Sequence, residues 1–311
     1  MMGSVITNVD RVEARFGSSD FKKYLDSFKL DCRVRNLTEK TIDVYYERLG
    51  YFIGYLTERG IGLNEINKMV VQEYILSLKG NVSIETINGR LRAIKRFFNH
   101  LEEEELWTDR NPTNGIKLLK TEKRVKPVVT PKELQKIIAY LNGKTYEANR
   151  NRVMVLLFWD GMLRLNELLN IRMDDIDLDA RLVKVFGKGR KERMVPIGLK
   201  TIKAVHQFLL KWRSKYPGDH LICIRNGLRL SERHCHKILQ GVGQKVGIKL
   251  YPHLLRHSAA TWYIRQGGNP AVLQKILGHT SLLVTQNYLH LSNEDTVNSY
   301  NSFSPSNCLK I

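Results

Sequence analysis

The chain has 311 residues, 42% hydrophobic and 26% charged, a globular composition with length for about two domains. Its 50 Lys and Arg against 31 Asp and Glu give a formal charge of +19, so a polyanionic partner is expected, either nucleic acid or an anionic surface. No membrane span, secretory leader or disulfide scaffold is expected. The apolar run at Val153–Trp159 is far short of ~18 residues, Met1–Asp10 lacks a basic-then-apolar pattern, and Cys32, Cys223, Cys235 and Cys308 are scattered with no CxxC pair.

The charge is uneven. Residues 1–120 hold 19 basic and 17 acidic side chains and residues 121–311 hold 31 and 14, which places the expected functional surface mainly in the second part. Residues 1–19 read as a loosely ordered N-terminus and 20–110 as a helical domain. From Phe21 to Leu106 the pattern predicts four helices, with Thr38 and Ser83 as N-caps of two of them. In the last helix Leu91, Ile94, Phe98 and Leu101 form an apolar stripe, while Arg92, Lys95, Arg96 and Asn99 share another face. That basic face is either solvated or laid against phosphates.

Residues 111–129, with Pro, Gly and a basic run but no sustained periodicity, read as a linker. Thr130-Pro131-Lys132-Glu133 then opens a second domain, 130–295, with a capping box and a proline at the first helical position. This domain reads as mostly helical with one small sheet, so the fold class is mainly α with a β-hairpin or three-strand sheet. Asn151–Trp159 is a buried helix. Strands Leu182–Phe186 and Arg193–Ile197 flank the turn Gly187-Lys188-Gly189-Arg190-Lys191. Further helices run through Ile202–Trp212, Ser231–Val246, His253–Arg265, Asn269–Leu277 and Ser281–Leu289, and 296–311 is a polar tail.

Four local patterns suggest chemistry. Arg164 lies just before a helix whose cap reads as Asn166, so a guanidinium and helix-start N–H groups could face one anion. Alternatively it pairs with Glu167 or the acidic residues Asp174, Asp175 and Asp177. Lys188 projects from a glycine-flanked turn, which lacks the spacing of a P-loop and is otherwise a solvated turn. His253 and Arg256 are i, i+3 on one helix, either an oxyanion clamp or a basic surface turn. Gly278 reads as the C-cap that ends the helix begun at Asn269-Pro270, a break that lets His279 and Tyr288 converge. Without convergence they are a capping loop and a packing tyrosine. His234-Cys235-His236 has the wrong spacing for zinc, and no metal is expected.

Taken in order, Arg164, Lys188, His253-x-x-Arg256, His279 and Tyr288 resemble the tyrosine recombinase (phage integrase) family, over nearly the whole chain. The resemblance implies a helical core-binding domain followed by a mixed α/β catalytic domain. It implies Tyr288 as the nucleophile that forms a 3′-phosphotyrosyl bond, and Arg164 and Arg256 as grips on the scissile phosphate. Lys188 would protonate the leaving 5′-oxygen, and His253 and His279 would handle the nucleophile's proton and bond the phosphoryl oxygens. Glu167 would support the site. DNA contacts are expected from Arg92, Lys95, Arg96, Arg190 and Lys191. Also implied are double-stranded DNA with specific recombination sites, a tetramer in the synaptic complex with a monomer free in solution, no cofactor, and a cytoplasmic, nucleoid-associated protein. Topoisomerase-like action on one duplex and a non-catalytic DNA-binding regulator are the alternatives. The sequence departs from the family where a Thr-Gly pair before the first arginine becomes Gly161-Met162, so Met162 must tolerate a turn often given to glycine.

Overall fold

Residues 19–121, 126–187 and 192–278 are described by the structure, a computed structural model. The chain divides between residues 124 and 125 into two units, each with its own core.

The first unit holds the four expected helices, α1 (Ser19–Val34), α2 (Glu39–Glu58), α3 (Lys68–Leu78) and α4 (Ile84–Glu103). Side chains of Thr38, Asn67 and Ser83 accept N–H groups of the first turns of α2, α3 and α4, satisfying donors that have no partner within the helix. Phe28, Tyr46, Phe52, Tyr74 and Phe98 are fully buried, and Phe28 meets Phe97 edge to face. The α4 stripe of Leu91, Ile94, Phe98 and Leu101 faces this core as its spacing predicts.

The face of α4 that carries Arg92, Lys95, Arg96 and Asn99 is divided between solvent and acceptors of the first unit. Arg96 donates to Asp31 of α1 at 2.7 Å, and Lys95 Nζ donates to the carbonyls of Thr113 and Ile116 at 3.1 Å each. Arg92 is exposed. The division between the units falls within the expected linker 111–129, and each end of that segment is bonded into its own unit. Asn88, buried in α4, bonds both the N–H and the carbonyl of Leu119, and Ile116 joins the first core. At the other end Val129 is buried in the second core, its N–H donating to Ser258 Oγ and its carbonyl accepting from Trp262 Nε1. Its backbone groups have partners because they are covered, and covered polar groups must be paired.

The second unit begins with α5 (Pro131–Tyr140), whose capping box between Thr130 and Glu133 is present as expected. Helix α6 (Tyr146–Asp160) sends Val153, Met154, Val155, Leu157 and Phe158 into the core. The short α7 (Leu165–Leu169) follows, and its N-cap is Arg164, not Asn166. The cap shifts because the Glu167 carboxylate bonds the Arg164 N–H, closing the first turn two residues earlier. Strands β1 (Ile176–Asp177), β2 (Leu182–Phe186) and β3 (Glu192–Pro196) form an antiparallel sheet in that order. Val183 pairs with Val195 and Val185 with Arg193, so Arg193 shares the core-facing side of the sheet. Helices α8 (Leu199–Lys211), α9 (Glu232–Val246), α10 (Pro252–Arg265) and α11 (Pro270–Leu277) complete the unit. Asn269 caps α11, and Gly278, at φ 61°, ends it in the left-handed conformation. The expected helix Ser281–Leu289 and the 296–311 tail lie outside the described residues.

Candidate active site

Glu167, on α7, is the centre on which three arginines from three elements converge. Its side chain is 4% exposed. Arg164, the N-cap, donates its backbone N–H to Oε2 and its Nη1 to Oε1, both at 2.8 Å. Arg193, on β3, donates Nη1 to Oε1 and Nη2 to Oε2, both at 2.8 Å, a parallel two-bond fork. Arg256, on α10, brings Nη1 to 3.7 Å from Oε2. Burial alone would raise the carboxyl's pKa, but the bonds from Arg193 and from the Arg164 backbone and side chain overcome it and hold it at about 2.

The same arginines close the end of α11. Arg193 Nε donates to the Ile276 carbonyl at 2.9 Å, Arg256 Nη2 to Leu277 at 2.9 Å, and Arg164 Nη2 to Gly278 at 3.2 Å. These carbonyls lack helical partners and carry the negative end of the helix dipole, so guanidiniums are their natural caps. Arg256 also donates Nη1 to the carbonyl of Met162 at 2.7 Å. Met162 has φ 49°, the left-handed turn expected of a residue at this position. Three guanidiniums against one carboxylate leave a surplus of positive charge, and Arg164 keeps 38% of its side chain exposed. Such a site is fitted to an anion arriving from solvent.

His253 stands at the first turn of α10, exposed where Arg256 is buried, so the pair shares a helix but not a depth. Partial burial, then the charges of Arg256, His236, Lys126 and Arg164, lower its pKa and favour the neutral ring. A neutral ring has a free acceptor nitrogen, and this one lies in the electrostatic field of Arg164 and Arg256. Lys188, Arg190 and Lys191 of the hairpin turn, and His279 and Tyr288, lie outside the described residues. The described elements adjoin them in the chain: β3 begins at Glu192, next after Lys191, and Gly278 directly precedes His279.

Arg193 is not singled out by the sequence reading, although a signal is present. In Arg193-Met194-Val195-Pro196-Ile197 the alternation places an arginine beside Val195 and Ile197, and an arginine on an apolar face needs a buried acidic partner.

The His234-Cys235-His236 run does not assemble a metal site. Cys235 is buried, with its thiol pushed up to about 12 by burial, while both histidines are exposed. Among the described residues one group of possible ligands, Asp31, His100 and Glu104, lies close together in the first unit. Asp31 there already accepts from Arg35 and Arg96, whose charges disfavour an added cation.

Residues 127–295 match the phage integrase family model, and residues 24–108 match the phage integrase N-terminal SAM-like domain. The tyrosine recombinase XerC of Actinobacillus pleuropneumoniae is 31% identical over 291 residues, covering 91% of this chain and 93% of the relative. The chain belongs to the phage integrase family of tyrosine recombinases. A tyrosine recombinase of Pseudothermotoga lettingae is 28% identical, over 86% of this chain and 93% of its own. Among solved structures, XerH site-specific recombinase bound to its palindromic difH substrate has a TM-score of 0.73 at 22% identity, covering 88% of this chain and 82% of that one. The Tn1549 transposon integrase bound to circular-intermediate DNA has a TM-score of 0.72 at 19% identity, covering 90% and 99%. At those identities the likeness is one of fold. As a family member the chain is an enzyme that cleaves and rejoins DNA strands.

Proposed function

We propose that the chain recombines specific DNA sites through a 3′-phosphotyrosine at Tyr288. The observation that carries this reading is the cluster of Arg164, Arg193 and Arg256 around one buried carboxylate. It sits at the end of α11, from which the chain runs on to His279 and Tyr288.

A phosphodiester gathers charge on its non-bridging oxygens as it is attacked, and two guanidiniums stabilise that charge most where water is excluded. Tyr288 Oη attacks the scissile phosphorus and its proton passes to a neutral histidine, His253 or His279. The new bond is phosphorus to tyrosine oxygen. The bond broken is phosphorus to the 5′-oxygen, which takes a proton from Lys188. A tyrosine hydroxyl titrates near ~10, so it needs both the base and the positive field to react at neutral pH. The phosphotyrosyl ester conserves the energy of the broken bond. A 5′-hydroxyl from a partner strand reverses the step and regenerates the tyrosine, with no nucleotide consumed. Exchange between two sites calls for four protomers on two duplexes, assembled from monomers. A chromosomal substrate places the protein at the nucleoid in the cytoplasm, with Arg92, Arg190 and Lys191 among the residues proposed to contact DNA. Lys95 and Arg96 are proposed contacts too, beside their bonds within the first unit.

The test uses a nicked duplex chosen from a random-sequence pool by binding to the full chain. The wild type is expected to leave a covalent protein–DNA adduct on a denaturing gel, and Tyr288→Phe none. An adduct with Tyr288→Phe would overturn the assignment. Relaxation of supercoiled plasmid without any joined product from two sites would redirect it to action on a single duplex.

A further inference from the structure

We propose that Arg193 is a positioning residue for strand cleavage, holding Glu167 and the end of α11 so that Arg164 and Arg256 meet the phosphate in register. This rests on the functional reading above and adds a residue outside its set of reacting groups.

Every acceptor site of the Glu167 carboxylate is taken. A carboxylate has about four lone-pair sites. Four donors fill them: Arg164 N–H and Nη1, and Arg193 Nη1 and Nη2, each at 2.8 Å. Arg193 thus supplies half of the bonds that fix the carboxylate plane, and that plane fixes the Arg164 guanidinium. The third nitrogen is engaged as well, Nε donating to Ile276 O. Carbonyls 276, 277 and 278 are therefore bound in succession by Arg193, Arg256 and Arg164. The first bond comes from a residue on the strand that follows the Lys188 turn. One guanidinium ties together the strand after that turn, the carboxylate beneath Arg164, and the helix end before His279.

The fit around Arg193 is close. Its side chain is 14% exposed, and a Cβ on Gly278 would lie 3.1 Å from its Cζ. A lysine cannot reproduce a fork plus a third bond, so the role requires arginine specifically. Among the described residues the charged groups around Glu167 are Arg164 before α7, Arg193 from β3 and Arg256 from α10, while α11 presents carbonyls. Without Arg193 two acceptor sites of a buried carboxylate are empty. Burial then raises its pKa, and as pH falls the carboxyl protonates and holds Arg164 less firmly.

The experiment measures the selected nicked duplex with wild type, Arg193→Gln, Arg193→Lys, Glu167→Gln and Arg193→Gln/Glu167→Gln. Binding is read by gel shift and single-turnover adduct formation from pH 5 to 8. Arg193→Gln is expected to bind within about threefold of wild type and to cleave about 100-fold slower, the scale of losing an organised electrostatic contact. Its rate relative to wild type should fall further toward pH 5. Adding Glu167→Gln to it should cost less than the two single losses combined, because both act through one carboxylate. Arg193→Lys should stay at least about tenfold slow.

Wild-type cleavage by Arg193→Gln overturns the inference. So does a slow variant whose rate keeps a constant ratio to wild type across pH and adds fully with Glu167→Gln, because that is loss of fold alone. If Arg193→Gln does not fold, Arg193→Lys, which keeps the charge but not the fork, decides by its rate, and cleavage at the wild-type rate overturns the inference. A wild type that forms no adduct, or one that survives Tyr288→Phe, overturns the functional reading itself and is seen before any Arg193 variant is compared.

Discussion

Glu167 is 4% exposed among three guanidiniums, and its carboxyl is held at about 2 against an ordinary 4.5. A lowered carboxyl pKa stabilises the fold fully above the unfolded value and is lost as pH falls through the folded one, here from about 4.5 to about 2. Glu167→Gln is expected to lower stability at pH 7 by roughly 3–5 kcal/mol, the cost of leaving buried charges without their partner. Urea midpoints for the two proteins should draw together as pH falls toward 2.5, and a gap that stays constant with pH would contradict the linkage. Met162 shows a different balance at the same site. A left-handed turn costs a non-glycine residue roughly 1–2 kcal/mol, but its buried side chain returns a comparable amount, and its carbonyl receives Arg256. Its tolerance for the turn was legible as a departure from the family pattern. The identity of the group it serves was not.

At the scale of elements, the features readable from the sequence are those decided within about four residues. Thr38, Ser83, Thr130 and Asn269 cap their helices, and Gly278 ends α11, because each contact is local. The cap of α7 was misplaced because a five-residue helix offers little periodicity and Glu167 closes it from inside. The basic face of α4 was open to two readings because Asp31 lies 65 residues away from Arg96, beyond any local pattern. Asn88 makes the same point for the supposed linker. Its two bonds to Leu119 hold 31 residues of separation closed. Asn88→Ala is expected to cost about 1–3 kcal/mol through the unpaired backbone groups. Amide exchange at Leu119 should speed up while that of the α2 core stays slow. Unchanged protection at Leu119 would show that packing of Ile116 alone secures the segment.

For the whole molecule, the +19 charge is concentrated beyond residue 120, where 31 basic side chains face 14 acidic ones. Part of that charge is internal, since Arg150, Arg213 and Arg256 are buried and Arg193 is half-buried on Glu167. The exposed lysines and arginines are the part that can meet phosphates. Binding to duplex DNA should therefore weaken steeply with salt, with a log–log slope of about −0.9 for each phosphate neutralised. A titration from 50 to 200 mM salt that left affinity unchanged would rule out phosphate contacts as the main source of binding. The sequence by itself determined the two helical units, most helix caps, the small sheet and the order of the residues that resemble the reacting set, because periodicity, capping and motif spacing are properties of the chain read along its length. Only the tertiary structure decided that Arg193 belongs with Arg164 and Arg256 and that Lys95 and Arg96 have partners within the first unit. Those pairings depend on which buried acceptors lack donors once distant segments are packed together, and that is settled in three dimensions by the cost of burying an unpaired charge.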